Sequence, residues 1–358
     1  MADWTKEFES SYRAVRVSRT TLMETEVIKN AILSGSTITR NVDTEEYDRG
    51  NIVVAGDIDV GSDFLRIYLD ATFADGTTES VPLGTFTVKA PKRSIRNDRS
   101  TREVVLSGLL SDVAEDDFEY PVTIPTGSNI VNEAVAIIRA CGLDVVYDAN
   151  DKTLTSQWVV GVGGKDDSPT SKLAIVNKLM ELVDYHAAFT DPMGRVILTK
   201  YKDPADRSPS HVFEEGPLAR FLTEAEEERD SSDVANVVVA TFTTQDTETR
   251  GIAYDDDPRS PYSTVTLGRR KVKRYEYQDG ATQAQANAKA AELLKTQQSV
   301  IRRVTLSHVY APVTCNDVVG VEWPTANVHG SYAIRTQSIQ LGAGCLTKSE
   351  LRRFERGY

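Results

Sequence analysis

Seven consecutive residues from Val234 to Ala240 (VANVVVA) set the strongest constraint on this chain. Apolar and β-branched side chains fall on both alternating faces, as expected of a strand covered from both sides. The residues beyond it fix that strand's neighbours. Asp255, Asp256, Asp257 and Pro258 combine clustered carboxylates with a residue that cannot donate to a ladder, so a solvent loop is expected there. Thr282, with Gln285 three residues on, forms a capping box, after which Ala286, Ala290, Leu293 and Leu294 share one helical face. Val304, Leu306, His308 and Tyr310 then alternate with Arg303, Thr305, Ser307 and Val309, the period of a half-buried strand. One amphipathic helix packed on a sheet follows from this order.

The same periods divide the rest of the chain. From about Tyr12 to Leu110 the pattern is mostly strand. Leu65, Ile67, Leu69, Ala71 and Phe73 alternate with more polar neighbours before a tight Asp75-Gly76 turn, and Val104 to Leu106 form another strand after a basic, polar loop. Residues 1–115 therefore read as an N-terminal β domain. Residues 116–217 change period. Ile130, Ala134, Ile137, Ile138 and Cys141 share a helix face between a Ser128 cap and Gly142, and Leu143 to Tyr147 return as a strand. A second helix is expected with Ser168 as cap, Pro169 at its first position, and Leu173, Val176, Met180 and Val183 on one face. Asp191-Pro192-Met193-Gly194 reads as a turn between strands at His186 to Phe189 and Val196 to Tyr201. This is a mixed α/β middle domain. The charged run Glu224, Glu226, Glu227, Glu228, Arg229, Asp230 reads as a solvated connector or helix surface opening a last domain, 218–358. Tyr332 to Leu341 is its closing strand, and Arg352, Arg353 and Arg356 read as a tail.

A chain of 358 residues exceeds the roughly 100 to 200 residues of one domain, in keeping with three. No apolar run approaches the ~20 residues needed to cross a bilayer, and the N-terminus MADWTKEFES lacks the basic start and apolar stretch of an export signal. A soluble protein of cytoplasmic synthesis without membrane insertion is expected. Cys141, Cys315 and Cys345 are odd in number, distant and without a CxxC pair, which points to reduced thiols. A net charge of -12 argues against a general grip on phosphate backbones.

No motif carries catalysis. Gly161, Gly163, Gly164 and Lys165 resemble part of a phosphate loop, but Val159 stands where the first Gly belongs and Asp166 where Ser or Thr should follow. Asp57, Asp59 and Asp63, or Asp255 to Asp257, offer oxygens to calcium without EF-hand spacing, and solvation accounts for them. His186, His211, His308 and His329 lie in separate segments with no HExxH, close Cys-His pair or GxSxG, and structural roles fit the strand-borne His186 and His308. No catalytic, metal or cofactor residue is nominated. No cofactor is expected.

The order of elements, with Leu83-Gly84-Thr85-Phe86, Ser107-Gly108-Leu109-Leu110-Ser111-Asp112, the run Asp233 to Val239, Leu267-Gly268-Arg269-Arg270 and the Ala-rich helix, resembles the baseplate-hub or tail-tip hub proteins of long-tailed bacteriophages. The resemblance implies an α+β, mainly β fold, with two β-barrel-like tail-hub domains and an α/β domain between them. It implies a structural virion protein of the distal tail, a homotrimer whose six barrel-like units match a hexameric tail tube. Its partners would be the tube or distal tail hexamer, the tape-measure protein and the tip or receptor-binding proteins, with genome DNA passing through unbound. No lysozyme or fibre domain is appended; a tail-associated cell-wall hydrolase or a carbohydrate-binding tip module is the alternative. Arg269, Arg270, Lys271, Lys273 and Arg274, beside Tyr275 and Tyr277, form the one basic cluster. Nucleic-acid stacking would use such residues, but with Val272 among them a rim-and-anchor interface against an acidic neighbouring subunit is the better reading.

Overall fold

A computed structural model describes residues 3–28, 32–55, 58, 60–96, 99–161, 171–230, 234–244, 247–297 and 299–356. Strands come first: β1 (Phe8–Val17), β2 (Glu24–Ile28), β3 (Ile32–Asn41), β4 (Asp48–Ala55), β5 (Phe64–Phe73), β6 (Thr78–Arg96) and β7 (Arg99–Gly108). A mixed stretch follows: α1 (Leu110–Glu115), β8 (Val122–Ile124), α2 (Ile130–Ala140), β9 (Val145–Tyr147), β10 (Trp158–Val160), α3 (Lys172–Leu182), β11 (Phe189–Thr190) and β12 (Val196–Leu198). The last part holds β13 (His211–Glu214), β14 (Phe221–Asp230), β15 (Val237–Thr243), β16 (Glu248–Tyr254), α4 (Thr264–Leu267), β17 (Val272–Tyr277), α5 (Gln283–Gln297), β18 (Ser299–His308), β19 (Val318–Trp323), β20 (Val328–Gln340) and β21 (Thr347–Arg356). The fold is mainly β, as the alternations imply.

Where alternation is clean, the expected strands form. Leu65, Ile67, Leu69 and Ala71 on β5 are fully buried, each large side chain adding about 1.5–3 kcal/mol by leaving water. The Asp75-Gly76 turn joins β5 to β6, with Gly76 in the left-handed region and Phe73 N donating to Thr77 O at 2.8 Å. The other face of β5 is covered too. Arg66 is buried there because Thr85 Oγ1, Glu24 Oε1 and the Met193 carbonyl each accept from it at 2.8 Å.

The barrel-like detail is not confirmed, for among the described residues the sheets are not closed into barrels. Thirteen strands join in one open sheet whose main path runs β14-β18-β21-β20-β3-β4-β7-β6-β5-β1-β2, with β19 added to β20 and β13 to β19. The first and last parts of the chain meet where β20 pairs antiparallel with β3, Ile339 opposite Ile38 and Gln337 opposite Arg40.

Three charged stretches also differ from expectation. Glu224 to Asp230 lies in β14, laddered to β18, and Arg352, Arg353 and Arg356 lie in β21 rather than in a tail. The basic loop before Val104 is a continuation of the β6-β7 hairpin out to Arg96 opposite Arg99. In each case the backbone finds ladder partners that charge-based reading cannot see.

In the middle stretch α2 and α3 pack together, and β9 pairs parallel with β12. The α2 cap is Asn129, one residue after the expected Ser128, with its Oδ1 accepting from Asn132 N at 2.9 Å; Gly142 ends the helix as expected. The start expected at Ser168 and Pro169 falls outside the described residues, and α3 begins after Ser171, whose Oγ accepts from Ala174 N at 3.2 Å. The strand expected from His186 is shorter, beginning at Phe189. Among the described residues no helix is long and apolar enough to cross a membrane. All three cysteines are free, and burial pushes the Cys141 thiol up to about 11 and that of Cys315 to about 12.

Candidate interaction surface

The basic cluster sits on a separate three-stranded sheet, β16-β15-β17, with the VANVVVA strand at its centre, β16 antiparallel to it and β17 parallel. One face carries α5. Thr282 and Gln285 close the capping box that starts this helix, Thr282 N donating to Gln285 Oε1 at 2.9 Å and Gln285 N to Thr282 Oγ1 at 3.3 Å. Ala286 and Ala290 on α5 are fully buried. Gly251 on β16 lets the helix come close, for a Cβ there would collide with the Ala286 carbonyl.

The opposite face follows from the register. Tyr254, Val237 and Val272 form one cross-strand row, Ile252, Val239 and Arg274 the next, and Arg250, Thr241 and Glu276 the third. Val237 and Val239 are buried, yet neither belongs to the two core clusters of the described residues. Tyr254, Ile252 and Val272 beside them are exposed.

The turn before β17 is organised by Asn236. Its Nδ2 donates to the Tyr262 and Arg269 carbonyls at 3.0 Å each, and its Oδ1 accepts from Lys271 N at 2.6 Å. The sequence reading passed over this residue. The signal was there: one amide side chain inside an otherwise apolar run must find buried partners. Gly268, in the left-handed conformation, ends α4 and directs the chain into Arg269 and Arg270.

The structure divides the cluster. Arg269, Arg270 and Arg274 are exposed, with the Arg270 guanidinium 5.4 Å from the Tyr254 ring centre. Lys271 and Lys273 are half-buried. Tyr275 and Tyr277 turn to the helix side: Tyr275 OH accepts from Gln297 Nε2 at 2.8 Å, and Tyr277 is buried, stacked on Phe242 at 4.7 Å, its phenol pushed up by burial. Both tyrosines line a cleft of about 430 Å³ shared with His186, Arg335, Lys289 and Glu181. His186 there is lowered to about 4, by burial first and then by Arg335 and Arg207. The far end of β17 is clamped by the middle stretch, where Thr155 N donates to Asp279 Oδ1 at 3.0 Å.

The remaining candidates do not assemble into a site. His308 and His211 pack on Phe213 with ring centres 4.6 Å and 4.8 Å away. His308 Nδ1 donates to Val309 O and its Nε2 bonds Ser349 Oγ, both at 2.8 Å, and burial lowers the ring to about 4. His329 is exposed. Asp255 is buried rather than solvated, accepting from Ser260 Oγ at 2.6 Å, while Asp257 pairs with Arg259 at 2.7 Å and is lowered to about 2 by that hydrogen bond. Asp63 accepts from Arg19 N at 3.1 Å; Asp57, Asp59, Gly163, Gly164 and Lys165 fall outside the described residues. Among the described residues no three His, Cys, Asp or Glu side chains group as metal ligands.

No protein-family model and no curated protein sequence matches the chain. In fold it is similar to solved phage-type tail proteins and to a component of a type VI secretion system. It superposes on the tail protein from Neisseria meningitidis MC58 over 97% of both chains, with a TM-score of 0.65 and 12% identity. The prophage MuSo2 tail protein from Shewanella oneidensis matches over 96% of this chain and 98% of its own, with a TM-score of 0.65 and 10% identity. An E. coli component of the type VI secretion system, described as structurally similar to T4 bacteriophage tail proteins, matches over 92% of this chain and 77% of its own, with a TM-score of 0.51 and 10% identity.

Proposed function

We propose that this chain is the structural hub of a phage-type tail: a homotrimer at the distal end of the virion that adapts a hexameric tube to a threefold tip. The observation that carries the reading is the end-to-end likeness to tail proteins, 97% of both chains for the first of them. In this reading residues 1–115 and 218–358 are the two hub domains, residues 116–217 form a lateral insert, and three copies offer six roughly equivalent β units to the tube. Closed cyclic symmetry lets every tube subunit meet the same surface. The net charge of -12 suits a channel through which DNA is ejected, since each phosphate contact would add a binding term that slows passage. The tape-measure protein and tip or receptor-binding proteins are its other partners, and host cytoplasm is the place of assembly. The exposed basic residues Arg269, Arg270 and Arg274, with Lys271 and Lys273 beside them, belong to a contact between subunits. The test is mass measurement of the purified chain together with electron microscopy of assembled tails. A trimer in solution and threefold density around an open pore at the distal end are expected; a monomer in both settings overturns the proposal.

A further inference from the structure

We infer that two open sheet edges of opposite charge join neighbouring copies, β17 of one chain lying along β14 of the next. This rests on the homotrimer proposed above and states how its ring closes.

Both edges are open within one chain: among the described residues β17 pairs only with β15, and β14, at the end of the long sheet, pairs only with β18. An open edge presents unpaired N–H and C=O groups, a template for another strand. The charges on the two are mirror images. Residues 269–277 carry five bases and one acid, and residues 221–230 carry five acids and one base. Arg269 and Arg274 have no ion-pair partner among the described residues, so these cations are available to a neighbour.

Apolar surface matches as well. On β17 Val272 is 47% exposed, with Tyr254 and Ile252 of β16 on the same face beyond β15, and at the start of β14 stand Leu222, 52% exposed, and Leu218, 87% exposed. Laid edge to edge, the two strands bring Val272 and Leu222 next to each other while basic and acidic rims meet. The other end of the long sheet, β2, fits less well. It is half as long, while in-chain ion pairs hold acids on both edges, Glu24 and Glu26 on β2 and Glu227 and Glu228 on β14. Because the two edges are different surfaces of one molecule, the contact is head-to-tail, and such contacts form a ring when the rotation between copies closes.

The experiment uses the full chain and native mass spectrometry. Replacing Arg269→Glu, Arg270→Glu and Arg274→Glu together, or Glu224→Lys, Glu226→Lys and Glu228→Lys together, should each weaken trimerisation by about 100-fold or more. Combining all six in one chain should restore the trimer, which also shows that the substituted strands fold. Mixing the two triple variants should give only even-numbered alternating assemblies, because a three-membered ring cannot alternate. A trimer that survives either triple variant, a natively folded six-fold variant that stays monomeric, or loss of nucleic-acid binding as the only effect overturns the inference. A wild-type chain that never trimerises, alone or in tails, overturns instead the hub reading on which it rests.

Discussion

The Arg40 guanidinium and the Asp48 carboxylate stand 3.5 Å apart in the interior, with only 5% of either side chain exposed. Around them Arg40 donates to Thr314 Oγ1 and Gln337 Oε1 at 3.2 Å each and to the Leu83 carbonyl, while Thr190 Oγ1 donates to Asp48. First strands, middle stretch and last strands therefore converge on one ion pair.

Removing one partner leaves a buried charge unmatched. Arg40→Met or Asp48→Leu alone is expected to cost about 3–5 kcal/mol, and the double substitution well under the sum. Urea denaturation of the four proteins measures the coupling.

Acid should loosen the fold. Burial raises Asp48 to about 6, so its contribution is fully present below its unfolded value and is lost as pH rises through 6. His186 and His308, both lowered to about 4 chiefly by burial, act oppositely: their contribution is present above the unfolded value and is lost as pH falls toward 4. Against Asp48 the two histidines prevail; Glu181 and Asp317 are raised by burial as Asp48 is, and His211 is lowered by burial as the two histidines are. Between pH 7 and 5 each histidine should cost about 1–2 kcal/mol, and His308→Gln should flatten the dependence of unfolding midpoint on pH.

At the helix-bearing face of the small sheet, Gly251→Ala forces α5 away from β16 because its methyl group meets the Ala286 carbonyl. A loss of about 1–3 kcal/mol is expected. Hydrogen exchange should accelerate along α5, and Thr282→Ala, which removes the cap, should add about 1 kcal/mol more.

Asn236→Ala removes three hydrogen bonds that hold the turn before β17. Stability should fall by about 2–3 kcal/mol. The Lys271 amide, its acceptor gone, should lose exchange protection.

What could be read from the chain was local. Leu65 to Phe73 announced β5 because strict alternation admits few other structures, and Thr282 with Gln285 announced the start of α5 because both groups of the box lie within one turn. The acidic run of β14 looked like a connector because its ladder partner, β18, lies about 75 residues further on, and charge masked the strand period. Arg352 looked like a tail residue for the same reason, although Asp43 accepts from its Nη2 at 3.0 Å. The interaction surface was half legible. Five cations in six residues are visible in any sequence, but the inward turn of Tyr275 and Tyr277 depends on α5, which covers only one face of the sheet.

The pairing of β3 with β20 also binds the protein's birth to its architecture. Arg40 and Gln337 are 297 residues apart, so at about 5–20 residues per second a ribosome needs roughly 15–60 seconds to deliver the partner strand. Throughout that interval the nascent β3 offers a bare ladder to any other polypeptide. Shielding that edge during translation should then raise the yield of native protein.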